Sequence, residues 1–399
     1  MVRHDGACHF KARVDDDPMQ ILMSEALPYF ESDIRVGAHH FAENFARLGN
    51  RVGWVSPPLH ALGFVRGALG SDAHRRAWRN GRRSVTSEGA ITEWRPVTAL
   101  PHRHLPIVDS EFTLKNQLRF SLPRGHATLR RMGFSNPDLL WLSQSAISVE
   151  LHKTVTARRT SLRLSDHYEG FGHSARVSRA LRGLESRVDV LFASARTLIE
   201  NLDAETRARA VFLPNGVEFA RFEQATPSSR LERYPEPRVI YVGTIDWWFD
   251  HSWLEEVASA LSHVSFLIAG PDHGNAMQGK RKENVHALGP VPYEEVPDLL
   301  AGCSAGIIPF KPNALTHSVN PIKLYEYAAV GLETVATELR ELELLREYDK
   351  APVISTNDST KAASLLNDAI ERGKSEKNRN FARDHDWKLS VAQLLDHVA

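Results

Sequence analysis

Short apolar runs alternate with segments of helical period along this chain, and the pattern occurs twice, on either side of a proline-rich break at 223–237 (EQATPSSRLERYPEP). Strands separated by helices at this spacing pair in parallel, and a parallel sheet must be covered by helices on both faces. In the first half, strand-like runs fall at 21–23, 51–55, 139–142, 161–164, 188–193 and 211–214, the last closing on the turn Asn215-Gly216. Apolar positions at helical spacing fill 36–48, ending at Gly49, and 175–186. The second half restarts at 238–242, which runs into Gly243. Strands follow at 264–269, 285–288, 305–309 and 334–336, and helices at 253–261, 294–301 and 321–330. The reading is α/β, with two Rossmann-like doubly wound domains facing a cleft. A first domain over 20–222 is joined by the linker 223–237 to a second domain over 238–378. In open α/β sheets ligands bind at the carboxyl ends of the strands.

Length and composition agree. The chain has 399 residues, 42% of them hydrophobic and 25% charged, which excludes collagen-like, low-complexity and wholly disordered classes and leaves room for two cores. Cys8 and Cys303 are too few for a disulfide framework or a cysteine-built zinc site, and a reducing cytoplasm fits. No apolar run approaches the roughly 20 residues of a membrane span. The polar stretch 1–19 lacks the apolar core of a secretory signal and reads as a mobile tail. Net charge is zero but unevenly spread. Residues 1–215 carry 30 Lys and Arg against 22 Asp and Glu, and 216–399 carry 19 against 27. Arginines cluster at Arg66, Arg75, Arg76, Arg79, Arg82 and Arg83, a face suited to an anionic partner or simply a solvated surface.

The most informative segment is 308–327, IPFKPNALTHSVNPIKLYEY. A strand ends near Pro309, a polar loop follows, and a helix opens at Asn320-Pro321, with Asn320 as N-cap and Pro321 in the first helical position. A helix starting at the carboxyl end of a parallel strand aims free amides and its positive dipole end into the cleft, a ready phosphate site. Lys323 adds a point charge there. Glu326, one turn on and on the same face, suits sugar hydroxyls. A plain surface pair between Lys323 and Glu326 fits the spacing equally well.

With these residues in view, 318–337 (SVNPIKLYEYAAVGLETVAT) resembles the donor-binding motif of GT-B glycosyltransferases of the group 1 type. Supporting resemblances run along most of 20–399 and are weakest at 60–135. They are the Gly-x-His-His segment within 35–57, the Ala-Ser-x-x-Leu stretch in 190–201, and the turn 213–218 (LPNGVE) into the second domain. The strand and glycine loop 239–250 (VIYVGTIDWWFD), the segment 286–309, and the closing helices at 379–399 that cross back to the first domain complete the set. The resemblance implies transfer of a sugar from a nucleotide-diphosphate donor of UDP or GDP type to a polysaccharide or lipid-linked glycan, with no cofactor and no metal. In that frame Glu326 binds the donor ribose, and Lys323 with the amides of Ser318, Val319 and Asn320 holds the diphosphate. Gly243 and Thr244 lie under the sugar and phosphates, and Val291 lies near the base. Gly37, His39 and His40 fall on the acceptor side, where a histidine contact to acceptor or donor and a satisfied structural histidine fit the residues equally well. Two departures stand out. Position 318 is Ser where many members have Glu, and 245–248 is Ile-Asp-Trp-Trp where Arg and Lys are common.

The stretch 162–171 (LRLSDHYEGF) reads as a strand ending in Asp166-His167. It is similar to a Ser-Asp motif whose Asp deprotonates the acceptor hydroxyl, so Asp166 and His167 are the candidate catalytic residues. A helix-capping Asp fits the same residues. The expected location is the cytoplasm, with the basic stretch 66–83 a candidate contact for anionic lipid on the inner membrane face or for an acceptor pyrophosphate, and no nucleic-acid partner is expected. A degenerate nucleotide-binding scaffold and a sugar-nucleotide epimerase are the alternatives. Gly170-Phe-Gly-His-Ser-Ala175 matches a dinucleotide fingerprint but does not directly follow a strand. Asp15–Asp17 and His102/His104 lack the context of a metal site.

Overall fold

The computed structural model describes residues 18–398 except 31, 33, 61–90, 100–108, 123, 169–173, 275–276 and 278–281. The tail through residue 17, the arginine cluster at 66–83, His102 and His104, and the glycines of the 170–175 stretch lie outside the described residues.

The first half folds into a seven-stranded parallel sheet. Its strand order is Ala210–Phe212, Val190–Ala193, Arg159–Leu164, Leu139–Leu142, Gln20–Ser24, Arg51–Val55 and Ile91–Trp94. The second half forms a six-stranded parallel sheet in the order Val285–Gly289, Ser265–Ala269, Arg238–Val242, Ala305–Ile308, Thr334–Ala336 and Val353–Ser355. Both sheets are doubly wound. In each, the chain builds outward from its first strand on one side and then returns to build on the other. The strand order therefore reverses between Gln20–Ser24 and Leu139–Leu142 in one sheet, and between Arg238–Val242 and Ala305–Ile308 in the other. A reversal of this kind leaves a crevice at the carboxyl ends of the two strands. A small sheet of Leu59–His60, Val97–Thr98 and Ser121–Leu122, which the sequence pattern did not suggest, joins the first domain.

The boundary between the halves differs from the composition-based reading. Val217, Phe219, Phe222 and Leu231 are all buried in the second core, and the amides of Thr226 and Ser228 donate to Asp298. The stretch read as a linker is thus packed against the second domain, because its apolar residues find a core there, and the crossover falls at 213–217. The chain crosses back at 385–387. Helix Glu376–Asp384 still packs on the second domain, with Phe381 stacked 5.5 Å from Tyr325. Helix Trp387–Val398 instead enters the first core, where Trp387 lies 5.3 Å from Phe41 and 5.0 Å from His40. Truncating a fully buried indole of this kind costs about 3–5 kcal/mol, so the crossing helix is a structural tie between the domains.

Candidate functional site

At the reversal point of the second sheet, three strands end in glycines that lie against one another. The Gly243 amide donates to Ala269 O at 2.9 Å and the Gly270 amide to Gly289 O at 2.8 Å. A Cβ on Gly270 would stand 2.0 Å from the Gly243 carbonyl oxygen, and both residues have positive φ (147° and 143°), so side chains are excluded here. Above this floor starts helix Ile322–Ala329. Its lysine lies directly over Gly243, with Lys323 Cε 3.1 Å and Nζ 3.3 Å from where a Gly243 Cβ would be. The ammonium sits 5.2 Å from the Tyr241 ring centre and 4.9 Å from that of Phe310. Among the described residues it makes no hydrogen bond or ion pair. Burial pushes Lys323 down to about 8 although Glu326 pulls the other way. Burial likewise pushes Glu326 up to about 7 against the pull of Lys323. Two tyrosines brace the floor. Tyr327 OH accepts the Val242 amide at 2.9 Å, and Tyr241 OH donates to Thr244 O at 2.7 Å. Gly306 makes room for this, since a Cβ there would lie 2.2 Å from Tyr327 Cδ2.

The approach to the helix departs from the expected capping. The N-cap is Pro321 with extended backbone, not Asn320. Ser318 N–H already donates to Leu315 O (3.0 Å) and Val319 N–H to Thr316 O (3.4 Å), closing the turn Thr316–Ser318. The amides of 318 and 319 are thus already engaged, and the free donors of the helix are those of its own first turn, at Ile322 and Lys323. Asn320 is buried and reaches the first domain: Asn215 Nδ2 donates to Asn320 O at 2.6 Å, and the Asn215 amide to Asn320 Oδ1 at 3.4 Å. Val291 is half-buried against the second core. The loop after Gly243 is held at both ends, by Ile245 N–H to Pro271 O (2.8 Å) and Lys311 N–H to Trp248 O (2.7 Å), and carries an exposed Trp247.

On the first domain, Asp166 stands at the carboxyl end of strand Arg159–Leu164. Gln144 fixes its backbone, accepting the amides of Ser165 (2.8 Å) and Asp166 (3.0 Å) and donating to Asp166 O (2.7 Å). Burial pushes the Asp166 carboxyl up to about 6, against the pull of Arg163. The capping role is excluded, because Ser174 caps the following helix, Ala175–Glu185. His167 Nδ1 is buried without a hydrogen bond. Two further groups at this edge escaped the sequence reading. Glu25, just past strand Gln20–Ser24, accepts from Trp141 Nε1 at 2.9 Å and is pushed by burial up to about 8. Arg163 is a buried guanidinium bonded to Ser165 Oγ and Asn215 Oδ1, both at 2.9 Å. An arginine within a buried parallel strand, RTSLRL, is the signal that could have found it.

The acceptor-side expectations for helix Gly37–Arg47 change. His39 is a core residue. Its Nδ1 accepts the Val36 amide (3.3 Å), its Nε2 donates to Pro28 O (3.2 Å), and its ring packs against Tyr29 and Trp54. Burial pushes it down to about 4, so it is neutral at physiological pH. His40 is buried between Trp387 and Tyr293 with neither ring nitrogen hydrogen-bonded. Gly37 is packed too closely for a side chain: a Cβ would lie 2.8 Å from Asn215 Oδ1 and 3.3 Å from Trp387. Both imidazoles are buried, His39 against Tyr29 and Trp54 and His40 against Trp387 and Tyr293, and Trp387 also packs close to Gly37. His40 with Glu43 and Glu218 could geometrically hold a metal, their ligand atoms lying within 4.8 Å of one another. However, Arg35 and Arg47 pair with those carboxylates at 2.5 and 2.9 Å, and Arg221 pairs with Glu218 at 3.3 Å. Three guanidiniums against two carboxylates make the spot hostile to a divalent cation.

Comparison with known proteins points the same way. Residues 236–372 match the family model "Glycosyl transferases group 1". A putative teichuronic acid biosynthesis glycosyltransferase of Bacillus subtilis is 27% identical over 226 residues, which is 53% of this chain and 57% of that protein. Sucrose-phosphate synthase of Thermosynechococcus elongatus superposes with a TM-score of 0.70 at 12% identity, over 95% of this chain and 98% of that one. HepE of Anabaena, solved with UDP and glucose, does so with a TM-score of 0.61 at 14% identity, over 95% and 98%. With two doubly wound sheets facing a cleft, the chain has the GT-B fold, and the segment that carries the glycine floor and the Lys323–Glu326 turn is similar to the group 1 glycosyltransferases.

Proposed function

We propose that the chain transfers a sugar from a nucleoside diphosphate to a hydroxyl of a glycan or lipid-linked glycan, with UDP as the carrier to try first. The observation that carries this reading is the unpaired, half-buried Lys323 in the first turn of a helix, directly over Gly243, with Glu326 one turn deeper. Lys323 and the amides at the helix start meet the charge that develops on the departing diphosphate, and Glu326 accepts hydrogen bonds from the ribose. UDP comes first because HepE, which shares the fold, was solved with UDP and with UDP-glucose.

On the facing edge, Asp166 takes the proton of the acceptor hydroxyl as its oxygen bonds to the anomeric carbon and the bond from that carbon to the diphosphate breaks. Direct displacement of this kind inverts the anomeric centre, and nuclear magnetic resonance of the product reads the outcome. In this reading no metal step enters. The protein works in the cytoplasm against the membrane that holds a lipid-linked acceptor. Calorimetric titration with UDP, GDP, ADP and dTDP tests the donor site. Micromolar binding of one nucleotide, lost in Lys323→Ala and Glu326→Ala, is expected, and binding of none refutes it. Slow donor hydrolysis that disappears in Asp166→Asn separates an enzyme from a nucleotide-binding scaffold.

A further inference from the structure

We infer that Arg163, Asn215 and Asn320 form a polar relay through the hinge peptide that holds the donor helix and the Asp166 loop in register. The inference rests on the function proposed above and adds positioning residues to it. Arg163 lies in strand Arg159–Leu164 with its guanidinium buried over Phe41. One arm donates to Ser165 Oγ at 2.9 Å, next to Asp166. The other donates to Asn215 Oδ1 at 2.9 Å and to Leu213 O at 3.4 Å, both on the peptide that joins the domains. Asn215 then passes the connection on: its Nδ2 donates to Asn320 O at 2.6 Å, and its amide to Asn320 Oδ1 at 3.4 Å. Asn320 precedes Pro321, the cap of the helix that carries Lys323 and Glu326. Two side chains and one backbone turn thus connect the acceptor edge to the donor edge.

Packing leaves the relay little alternative. Asn215 Oδ1 is hemmed in by Gly37, where even a methyl group would approach to 2.8 Å. The neighbouring Gly216 lies against the crossing segment, and a Cβ there would stand 2.3 Å from His385 O. The Val217 amide donates to His385 O and the Trp387 amide to Val217 O, both at 3.1 Å, so the hinge is pinned from its far side as well. Other bonds between the domains include the Arg196–Asp349 pair and those from Thr197 to Glu341, none of which involves Arg163, Asn215 or Asn320.

Asparagine at 215 is the pivot because it accepts from one domain and donates to the other. Asn215→Asp keeps an oxygen for Arg163, now as an ion pair, and removes the side-chain donor to Asn320 O, leaving only the 3.4 Å bond from the backbone amide to Asn320 Oδ1. Asn215→Ala removes both side-chain bonds. Thr197→Val is the control that disturbs the domain contact elsewhere. Each variant is checked by thermal melting, and activity is then compared well below the melting point. UDP affinity is measured by calorimetry, turnover by release of UDP from UDP-glucose, and domain spacing by small-angle scattering.

For Asn215→Asp the expected result is UDP affinity within about threefold of the parent, turnover down by on the order of 100-fold, the loss typical of a misplacement near 1 Å, and a larger radius of gyration. Thr197→Val is expected to keep its turnover. If Asn215→Asp keeps parental turnover and a superimposable scattering curve, or loses UDP binding and turnover in equal measure, the relay is refuted. Should the parent bind no nucleotide at all, the proposed function fails, while scattering of Asn215→Asp and Asn215→Ala still decides whether the relay sets the domain spacing.

Discussion

If Lys323 and Glu326 hold the nucleotide as proposed, donor affinity is pH-dependent with a computable slope, because across neutral pH the lysine loses its charge as the glutamate gains its own. The lysine, with its pKa near 8, is cationic below that value and neutral above it. Between pH 7 and pH 9 its charged fraction drops from about 90% to about 10%. If the ammonium is what holds the diphosphate, UDP affinity falls about tenfold over that interval. Glu326, near 7, loses its negative charge on the acid side, and a neutral acid is a poorer acceptor for two ribose hydroxyls. Affinity should therefore peak between about pH 7 and 8. Calorimetry with UDP from pH 6 to 9 reads both limbs. Lys323→Arg stays cationic throughout and should flatten the alkaline limb, while Glu326→Gln should flatten whatever part of the acid limb is not due to UDP itself. A parental UDP affinity that is constant from pH 7 to 9, or an alkaline limb of equal slope in Lys323→Arg, refutes the assignment of Lys323 to the phosphates.

Three further outcomes follow from the packing around the site. Glu25 has its folded-state pKa near 8, above the ordinary 4.5, so the native chain holds a proton that the unfolded chain releases and stability falls as pH rises between those values. Glu25→Gln keeps an oxygen for Trp141 and should melt higher than the parent at pH 8, by at most about 5 kcal/mol, with no gain at pH 4.5. Replacing His39 by Leu strands the Val36 amide and the Pro28 carbonyl. It should cost about 1–3 kcal/mol in urea unfolding and leave UDP binding intact, which an acceptor- or donor-contacting histidine would not. Gly306→Ala drives a methyl group into Tyr327, with an expected cost of about 1–3 kcal/mol and weaker UDP binding, because Tyr327 holds the strand that ends at Gly243.

What the chain reveals before folding depends on how far apart the interacting residues are. The alternation of strand and helix is local, and helices at 37–47, 175–185 and 322–329 stand within two residues of their expected positions. Lys323 and Glu326 were legible for the same reason, since three residues along a helix are neighbours whatever the rest of the chain does. Strand Ile91–Trp94 was missed because Glu93 interrupts its apolar run. That carboxylate is buried to receive the amides of Tyr29 and Phe30 and the Ser56 hydroxyl, partners 37 to 64 residues away. Asn320 fails as a cap for a similar reason: local propensity favours the cap, but Asn215, 105 residues distant, takes its polar groups. His39 and His40 show the limit in reverse. Adjacent in sequence, they suggest a shared task. One residue along a helix is a turn of about 100°, which sends the first ring against Tyr29 and Trp54 and the second against Trp387 and Tyr293.

The acceptor edge is harder to read than the donor edge, and the reason is the same. Its polar groups come from segments that meet only in the folded sheet: Glu25 just past strand Gln20–Ser24, Arg163 within and Asp166 just past strand Arg159–Leu164, and Asn215 beyond strand Ala210–Phe212. No spacing in the sequence ties them together. What marks Arg163 is chemical incongruity, a guanidinium placed where a buried parallel strand should be apolar, with the buried carboxyls of Glu25 and Asp166 just past strand ends. Such placements are costly unless something compensates them. For Arg163 the compensation comes from the hinge rather than from a carboxylate in hydrogen-bond contact. That leaves the guanidinium near Glu25 and Asp166 without being neutralised by a direct pair with either, and so able to lower both carboxyls from where burial alone would put them. In the proposed mechanism, a base pushed to about 6 on a loop tied to the hinge through Arg163 would link two demands of glycosyl transfer, proton uptake and alignment of the two halves of the site.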